Sequence, residues 1–409
     1  MKQEKALKIL KSGKNVFLTG SAGTGKTFVL NSFIKSLEDK CVGVTASTGI
    51  AATHLNGMTI HSWAGIGINN DLDEAGIKKL VRKKYIIQRI RKAKVLIIDE
   101  ISMLDAQRLD LIDKVLRAIK DPFLAFGGLQ IVVCGDFFQL PPVNNWNSDF
   151  AYNAFSWEKA NFKVCYLEKC YRQDTDQEFI SLLNKIRSGK VDLEVFTKLK
   201  EREDKKVSGL KEITKLYSLN VDIDQINSQK LAQIKGEEKE YRMTSSGDSL
   251  LVKALKKGCL AQETLKLKKG AIVMFLKNNP EEGYFNGSMG EVIDFNDLGE
   301  PYVKLKKGRE VLVRRAAWSI DDEKSSIAEI TQYPLRLAWA ITIHKSQGMS
   351  LDAAEIDLSK SFEYGMGYVA LSRVKTLKGI KLLGINKKAL QVSPEILEKD
   401  KEFRRLSDL

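Results

Sequence analysis

The sequence predicts an α/β fold built on parallel sheet, with a run of short strands inserted late in the chain. Three stretches carry that prediction. Val16 to Leu18 is a short apolar strand that runs into a glycine loop, Gly20 to Thr27, and on into a helix expected over Phe28 to Leu37. Lys94 to Glu100, KVLIIDE, holds four consecutive apolar residues, the pattern of a strand buried on both faces of a parallel sheet. From Leu265 the texture changes to LKLKKGAIVMFLKN, GYFNGSMGEVIDF and PYVKLKKGREVLVRRAAW, short strands separated by glycine turns that read as a small β-barrel-like insertion.

The glycine loop is the most specific of the three. GSAGTGKT matches G-x-x-x-x-G-K-T without departure, and it lies between a strand and a helix, as that motif demands. Gly20, Gly23 and Gly25, with Thr24 between them, let backbone N–H groups turn inward around a phosphate chain at the positive end of a helix. Lys26 is placed to reach the outer phosphates and Thr27 to ligate Mg²⁺. The ligand class is therefore a nucleoside triphosphate with Mg²⁺.

Composition narrows the partners. The 409 residues suffice for at least two domains, and 66 basic against 52 acidic residues give a formal charge of +14. An excess of that size suits a polyanionic partner or a merely solvated basic surface. No apolar run approaches a membrane span, and MKQEKALKIL lacks the apolar core of a signal peptide. The five cysteines, Cys41, Cys134, Cys165, Cys170 and Cys259, are scattered and read as free thiols.

Along the chain, Met1 to Lys11 reads as a helix, with Gln3 a surface polar residue on residue logic alone. Cys41 to Thr45 is a strand running into ASTGIAATHLNGMTIHSWAGIG, where Thr45, Ser47, Thr48, Thr59, His61 and Ser62 are candidate donors to nucleic-acid phosphates or simply loop and cap residues. Asp99 and Glu100 end the KVLIIDE strand at the edge where α/β sheets bind ligands. Asp99 suits Mg²⁺ and Glu100 the base that takes a proton from the attacking water. A helix follows from Asp105 to about Lys120 and stops before Pro122. The next buried strand, Leu129 to Cys134, ends in GDFFQLPPV, whose Gln139 is either a γ-phosphate sensor or part of a turn carrying two core phenylalanines.

Arg172 follows a strand over Lys163 to Leu167 and is a candidate to reach transferred charge from outside the first nucleotide domain. Asp176 to Ser188 is an amphipathic helix. The basic residues of the insertion, Lys266, Lys268, Lys269, Lys304, Lys306, Lys307, Arg309, Arg314 and Arg315, could equally track a nucleic-acid backbone or line a solvated sheet edge. A helix is expected over Arg336 to His344, delivering His344, Lys345, Ser346, Gln347 and Gly348 at its end, and a last helix over Gly367 to Arg373. Pro394 to Leu409 reads as a charged tail or peripheral helix.

These motifs together resemble a superfamily 1 DNA helicase of the petite integration frequency, or Pif, family, over nearly the whole chain from Gln3 to about Asn386. The resemblance implies two recombinase-like parallel-sheet motor lobes, with a small excursion in the first and an SH3-like β-barrel in the second. The implied boundaries are 1–160 for the first lobe with an inserted subdomain at about 55–92, then 161–264 and 331–390 for the second lobe, 265–330 for the barrel and 391–409 for the tail. It implies an adenine contact for Gln3. It also implies single-strand contacts in TASTGIAA and TIHSWAGIG, hydrolytic roles for Lys26, Glu100, Gln139, Arg172 and Arg373, and a DNA and coupling motif in ITIHKSQGMSLD. ATP and Mg²⁺ are the implied cofactors. Single-stranded and tailed duplex DNA are the implied partners, and some family members also unfold G-quadruplexes or RNA–DNA hybrids. Known members translocate 5′ to 3′ and serve DNA repair, recombination and telomere maintenance. With nothing long ahead of Gln3, the chain looks like a compact bacterial or phage member, expected as a cytoplasmic, nucleoid-associated monomer. A helicase subunit of an exonuclease complex, a nucleic-acid-binding module with a vestigial nucleotide site and a switch-type ATPase are the rival readings.

Overall fold

The computed structural model describes residues 1–37, 42–55, 57–67, 72–142, 149–173, 176–203, 205, 214–218, 223–259, 261–277, 279, 281–284, 286, 288–305, 308–321 and 326–408. Cys41, Lys306 and Lys307 lie outside them. The chain divides into two units, Met1–Lys190 with Gln391–Leu409, and Val191–Leu390.

The first unit is built on β1 (Val16–Gly20), β2 (Val42–Ala46), β3 (Met58–Thr59), β4 (Val95–Asp99), β5 (Gln130–Cys134) and β6 (Lys163–Leu167), all parallel, in the order β3-β2-β4-β5-β1-β6. Every residue of β1 and β4 is buried, as expected where helices cover both faces. Alternation along β1 sorts its side chains between two cores. Val16 and Leu18 pack with Ala6 and Leu10 of the first helix, Gln3–Lys11, and with Val29, Leu30 and Phe33 of the helix after the glycine loop, Lys26–Ile34. Phe17 points the other way, into a cluster with Phe137, Trp157 and Phe403 at centroid distances of 5.6, 5.1 and 4.9 Å.

The expected boundary at residue 160 is corrected. β6 pairs in parallel with β1 from Val16↔Lys163 to Gly20↔Leu167, so it is a strand of the first sheet, and the helix Gln177–Arg187 belongs to the same unit. Of the two readings of the C-terminal segment, tail or peripheral helix, the structure takes the helix. Pro394–Asp408 is a helix that buries Ile396, Phe403 and Ser407, and the Ser407 hydroxyl accepts the Tyr166 N–H of β6 at 3.1 Å.

In the second unit the chain forms β7 (Lys215–Tyr217), then β8 (Lys239–Arg242), β9 (Thr244–Gly247), β10 (Thr264–Leu267), β11 (Ile272–Phe275), β12 (Met289–Phe295), β13 (Pro301–Leu305), β14 (Glu310–Leu312), β15 (Ala316–Asp321), β16 (Ser326–Gln332) and β17 (Leu335–Leu337), and ends with β18 (Ala340–Thr342), β19 (Ala354–Leu358) and β20 (Ile380–Ile385). A parallel sheet runs β18-β7-β19-β20. The intervening strands form antiparallel sheets, the largest β14-β13-β12-β11-β17, around a core that includes Leu265, Val273, Phe275, Val292, Val303 and Tyr333. The antiparallel part therefore runs from Lys239 to Leu337, wider than the expected 265–330.

The expected helix over Arg336 to His344 is absent. Leu337, Ala340 and Ile341 are buried as anticipated, but on β17 and β18, followed by a single 3₁₀ turn at His344–Ser346. Short apolar runs fit either period, and here pairing to β11 and β7 decides for strand. Several basic residues of the insertion face acidic neighbours: Lys266 lies 2.9 Å from Glu238, Lys269 3.4 Å from Asp294 and Lys304 3.4 Å from Glu310. Those three lysines belong to a solvated, charge-paired sheet surface.

Candidate active site

In the first unit, β4, β5 and β1 are neighbours, and the loops leaving their carboxyl ends carry the predicted chemistry. The glycine loop needs its glycines for backbone reasons. Gly23 and Gly25 have φ of +84° and +82°, and a Cβ on Gly23 would stand 2.9 Å from both the Cys170 Sγ and the Gln173 Oε1. Gly25 caps the helix Lys26–Ile34, whose first N–H groups lie at the loop. The Lys26 ammonium donates to the carbonyls of Gly20 at 2.8 Å and Ser21 at 3.2 Å. Gln3 donates from Nε2 to the Thr24 carbonyl at 2.9 Å, so the first helix is tied to the loop at the residue implied to read adenine.

Asp99 is buried at the end of β4, and its Oδ1 accepts the Glu100 N–H at 2.9 Å. Burial pushes its carboxyl up, against the opposing pull of that N–H, of the Cys134 thiol and of the Lys26 charge. Glu100 adopts left-handed backbone angles, φ 53° and ψ 46°, at a cost of about 1 kcal/mol or more for a residue with a side chain. Its carbonyl accepts the Ser47 hydroxyl at 2.7 Å, and the Asp99 carbonyl accepts the Ser47 N–H at 3.0 Å. Thr27 opens the helix beside Lys26, so a hydroxyl and a carboxylate stand at the ends of strands two apart in the sheet. Such hard oxygen donors beside a phosphate loop fit Mg²⁺, which keeps most of its other positions for water and phosphate.

After β5, Asp136 is buried and paired with Arg187 at 2.9 Å. Burial alone would raise its carboxyl, but Arg187 and then Lys26 outweigh burial and hold it below the ordinary range. Gln139 donates its N–H to the Asp136 carbonyl at 2.9 Å. Its buried Oε1 has no hydrogen-bond partner among the described residues. An orphaned buried acceptor costs about 1–3 kcal/mol, which a bound water or ligand donor would relieve. That observation favours the sensor reading of Gln139 over a plain turn.

Other expectations are corrected. Arg172 lies in the first unit, not the second lobe. The Tyr171 N–H donates to the Gly23 carbonyl at 2.8 Å, and a Cβ on Gly23 would stand 2.8 Å from the Arg172 Cβ. Arg172 thus flanks the phosphate loop from β6, because β6 pairs with β1. Thr45 and Ser47 do not offer their hydroxyls outward. Both are buried, Thr45 donating to the Ile97 carbonyl at 2.6 Å and Ser47 to Glu100. Thr48 accepts the Ala51 N–H at 3.3 Å, and Thr59 caps the helix Ile60–Ala64 through the Ser62 N–H. His61 is held neutral, its pKa lowered to about 4 by burial first and then by Arg108, with Asp105 opposing.

In the second unit, Ser346 is buried and donates to the Ile343 carbonyl at 2.7 Å, and Gln347 is buried too. His344 stands 3.9 Å from Glu363, and burial lowers its pKa. The Lys345 side chain lies outside the described residues. Arg373 is buried, donating to the Val369 carbonyl at 3.0 Å and the Ser372 hydroxyl at 2.9 Å. Sequence reasoning missed Arg187, one charged residue on an amphipathic helix with no local pattern to mark it.

A profile of PIF1-like helicases matches residues 2–196, and one of the DNA helicase Pif1 2B domain matches residues 251–295. The ATP-dependent DNA helicase Pif1 of Psychrobacter sp. (strain PRwf-1) is 44% identical over 471 aligned residues, spanning 100% of this chain and 71% of that protein. The chain belongs to the Pif1 family of superfamily 1 DNA helicases. Among solved Pif1-family structures, Bacteroides sp Pif1 in complex with ADP-AlF4 is 34% identical with a TM-score of 0.85, covering 98% of this chain and 96% of that one. Bacteroides Pif1 bound to ssDNA is 34% identical with a TM-score of 0.68, covering 98% and 95%.

Proposed function

We infer that this Pif1-family chain is an ATP-dependent DNA helicase that hydrolyses ATP in its first unit and translocates 5′ to 3′ on single-stranded DNA. The observation that carries the hydrolytic part is the buried Gln139 Oε1, lacking a partner among the described residues, on the strand end between those that carry Asp99–Glu100 and Lys26–Thr27. Thr27 and Asp99 would hold Mg²⁺, which when bound neutralises phosphate charge. Lys26 draws the outer phosphates inward. Gln139 orients the attacking water and Glu100 accepts its proton. Arg172, flanking Gly23, adds positive charge at the loop, and Arg373 is kept as the second arginine of hydrolysis. Gln3 reads the base.

The DNA part rests on the family and on the ssDNA-bound relative. Grip through phosphates and stacking implies slight sequence preference, so tailed duplexes, and by the same reading G-quadruplexes and RNA–DNA hybrids, fall within reach of one motor. We assign the antiparallel sheets of the second unit to an SH3-like barrel, and the stretch between β3 and β4 to a small excursion from the first sheet. ATP hydrolysis with and without single-stranded DNA tests the reading. The rate should rise steeply with DNA and Mg²⁺. A rate indifferent to DNA would favour a switch-type ATPase.

A further inference from the structure

The turn that carries Gln139 is held by residues far away in sequence. One oxygen of the buried Asp136 carboxylate accepts the Arg187 guanidinium at 2.9 Å and the Phe138 N–H at 3.3 Å. Arg187 is the last residue of its helix, and its guanidinium carbon lies 4.1 Å from the Phe138 ring centre. Its second ion pair, at 3.3 Å, is with Asp400 on the C-terminal helix. Asp400 also accepts the Tyr166 hydroxyl and the Arg404 Nε, each at 2.8 Å. Beside it, Phe403 packs on Phe17 of β1 and on Phe137 of the turn, with centroids 4.9 and 6.0 Å apart.

One helix therefore bounds the Gln139 turn on both its charged and its aromatic side. That helix is reached only after the whole second unit has been traversed. The chain leaves the first unit after Lys190 and re-enters at Gln391. The two crossings run side by side, since a Cβ on Gly189 would stand 3.1 Å from Leu397 Cδ1 and 3.6 Å from Val392 Cγ2.

We propose that Arg187 and Asp400 are positioning residues for ATP hydrolysis, fixing Asp136 and through it the Gln139 amide, so that the C-terminal helix is a working part of the catalytic unit. The inference rests on the sensor role given to Gln139 above. An amide that aligns a water acts only within a few tenths of an ångström, and a loosened support costs rate without costing substrate affinity. Asp400→Asn leaves the Arg187–Asp136 pair in place and removes only the outer charge.

The test is a double-mutant cycle on DNA-stimulated ATP hydrolysis with the full chain. Asp400→Asn should lower kcat about tenfold while KM for ATP and Kd for single-stranded DNA stay within twofold, and Asp400→Glu should recover most of the loss. In a Gln139→Ala background the same Asp400→Asn change should cost almost nothing further. An equal fall in both backgrounds, or an unchanged kcat in the single variant, would overturn the proposal. Undiminished turnover in Gln139→Ala alone would overturn the sensor reading itself, and this inference with it. Should Asp400→Asn fail to fold, Arg404→Gln loosens the same carboxylate from the exposed side and enters the cycle in its place.

Discussion

Glu100 combines a strained backbone with the position proposed for the hydrolytic base, and Ser47 fixes both it and Asp99 from the next strand. Replacing Glu100 by Gln keeps the shape of the site and removes the proton acceptor. ATP and DNA binding should persist while turnover falls about 10²-fold or more, read by steady-state hydrolysis beside equilibrium binding. Lys26→Ala differs, because it removes charge from the triphosphate and should weaken ATP binding as well as turnover. His61 makes a prediction about pH. Its pKa is near 4 in the fold against 6.5 in the unfolded chain, so between those values the unfolded chain binds more protons. Its contribution to stability is full above about pH 6.5 and is lost as pH falls toward 4. Thermal melts of His61→Gln should therefore show a shallower loss of Tm between pH 7 and pH 4.5 than the parent, and parallel curves would refute the assignment.

At the scale of elements, Phe403 is the side chain by which the C-terminal helix enters the core, 5% exposed and in ring contact with Phe17, Phe137, Tyr152 and Trp157. Phe403→Ala should cost about 3–5 kcal/mol in denaturant unfolding of the first unit, and a loss within 1 kcal/mol would show the helix to be peripheral after all. This docking was hidden in the sequence, because Ile396, Phe403 and Ser407 are sparse buried positions on an otherwise charged helix. The phosphate loop, β4 and its acids were readable because each is one continuous stretch whose burial and chemistry are local. Arg172 was misplaced for the opposite reason: β6 returns across 140 or so residues to pair with β1, a non-local choice that no window of sequence records. β17 and β18, LRL and AIT, read as helix from sequence because such short mixed segments fit both periods. Thr45 and Ser47 looked like surface donors because a hydroxyl-rich stretch carries no mark of which oxygens the fold itself will use.

For the whole molecule, the charge of +14 and the family together make a phosphate backbone the track. Part of that charge is internally balanced, as at Lys266, Lys269 and Lys304, so the number of phosphates engaged should be modest. With about four to six neutralised, log K against log salt for single-stranded DNA should slope near −3 to −4 without ATP, and a slope near zero would assign the excess charge to bystander surface. The proposed motor hydrolyses ATP while moving toward the 3′ end of the strand it holds. Strand separation of two partial duplexes, identical except that one carries a 5′ and the other a 3′ single-stranded tail, tests it most directly. With ATP and Mg²⁺ the 5′-tailed duplex should be unwound, and the 3′-tailed one, or either one with Glu100→Gln, should not. Unwinding from the 3′ tail alone would contradict the direction, and DNA-stimulated hydrolysis with neither duplex opened would contradict the helicase itself.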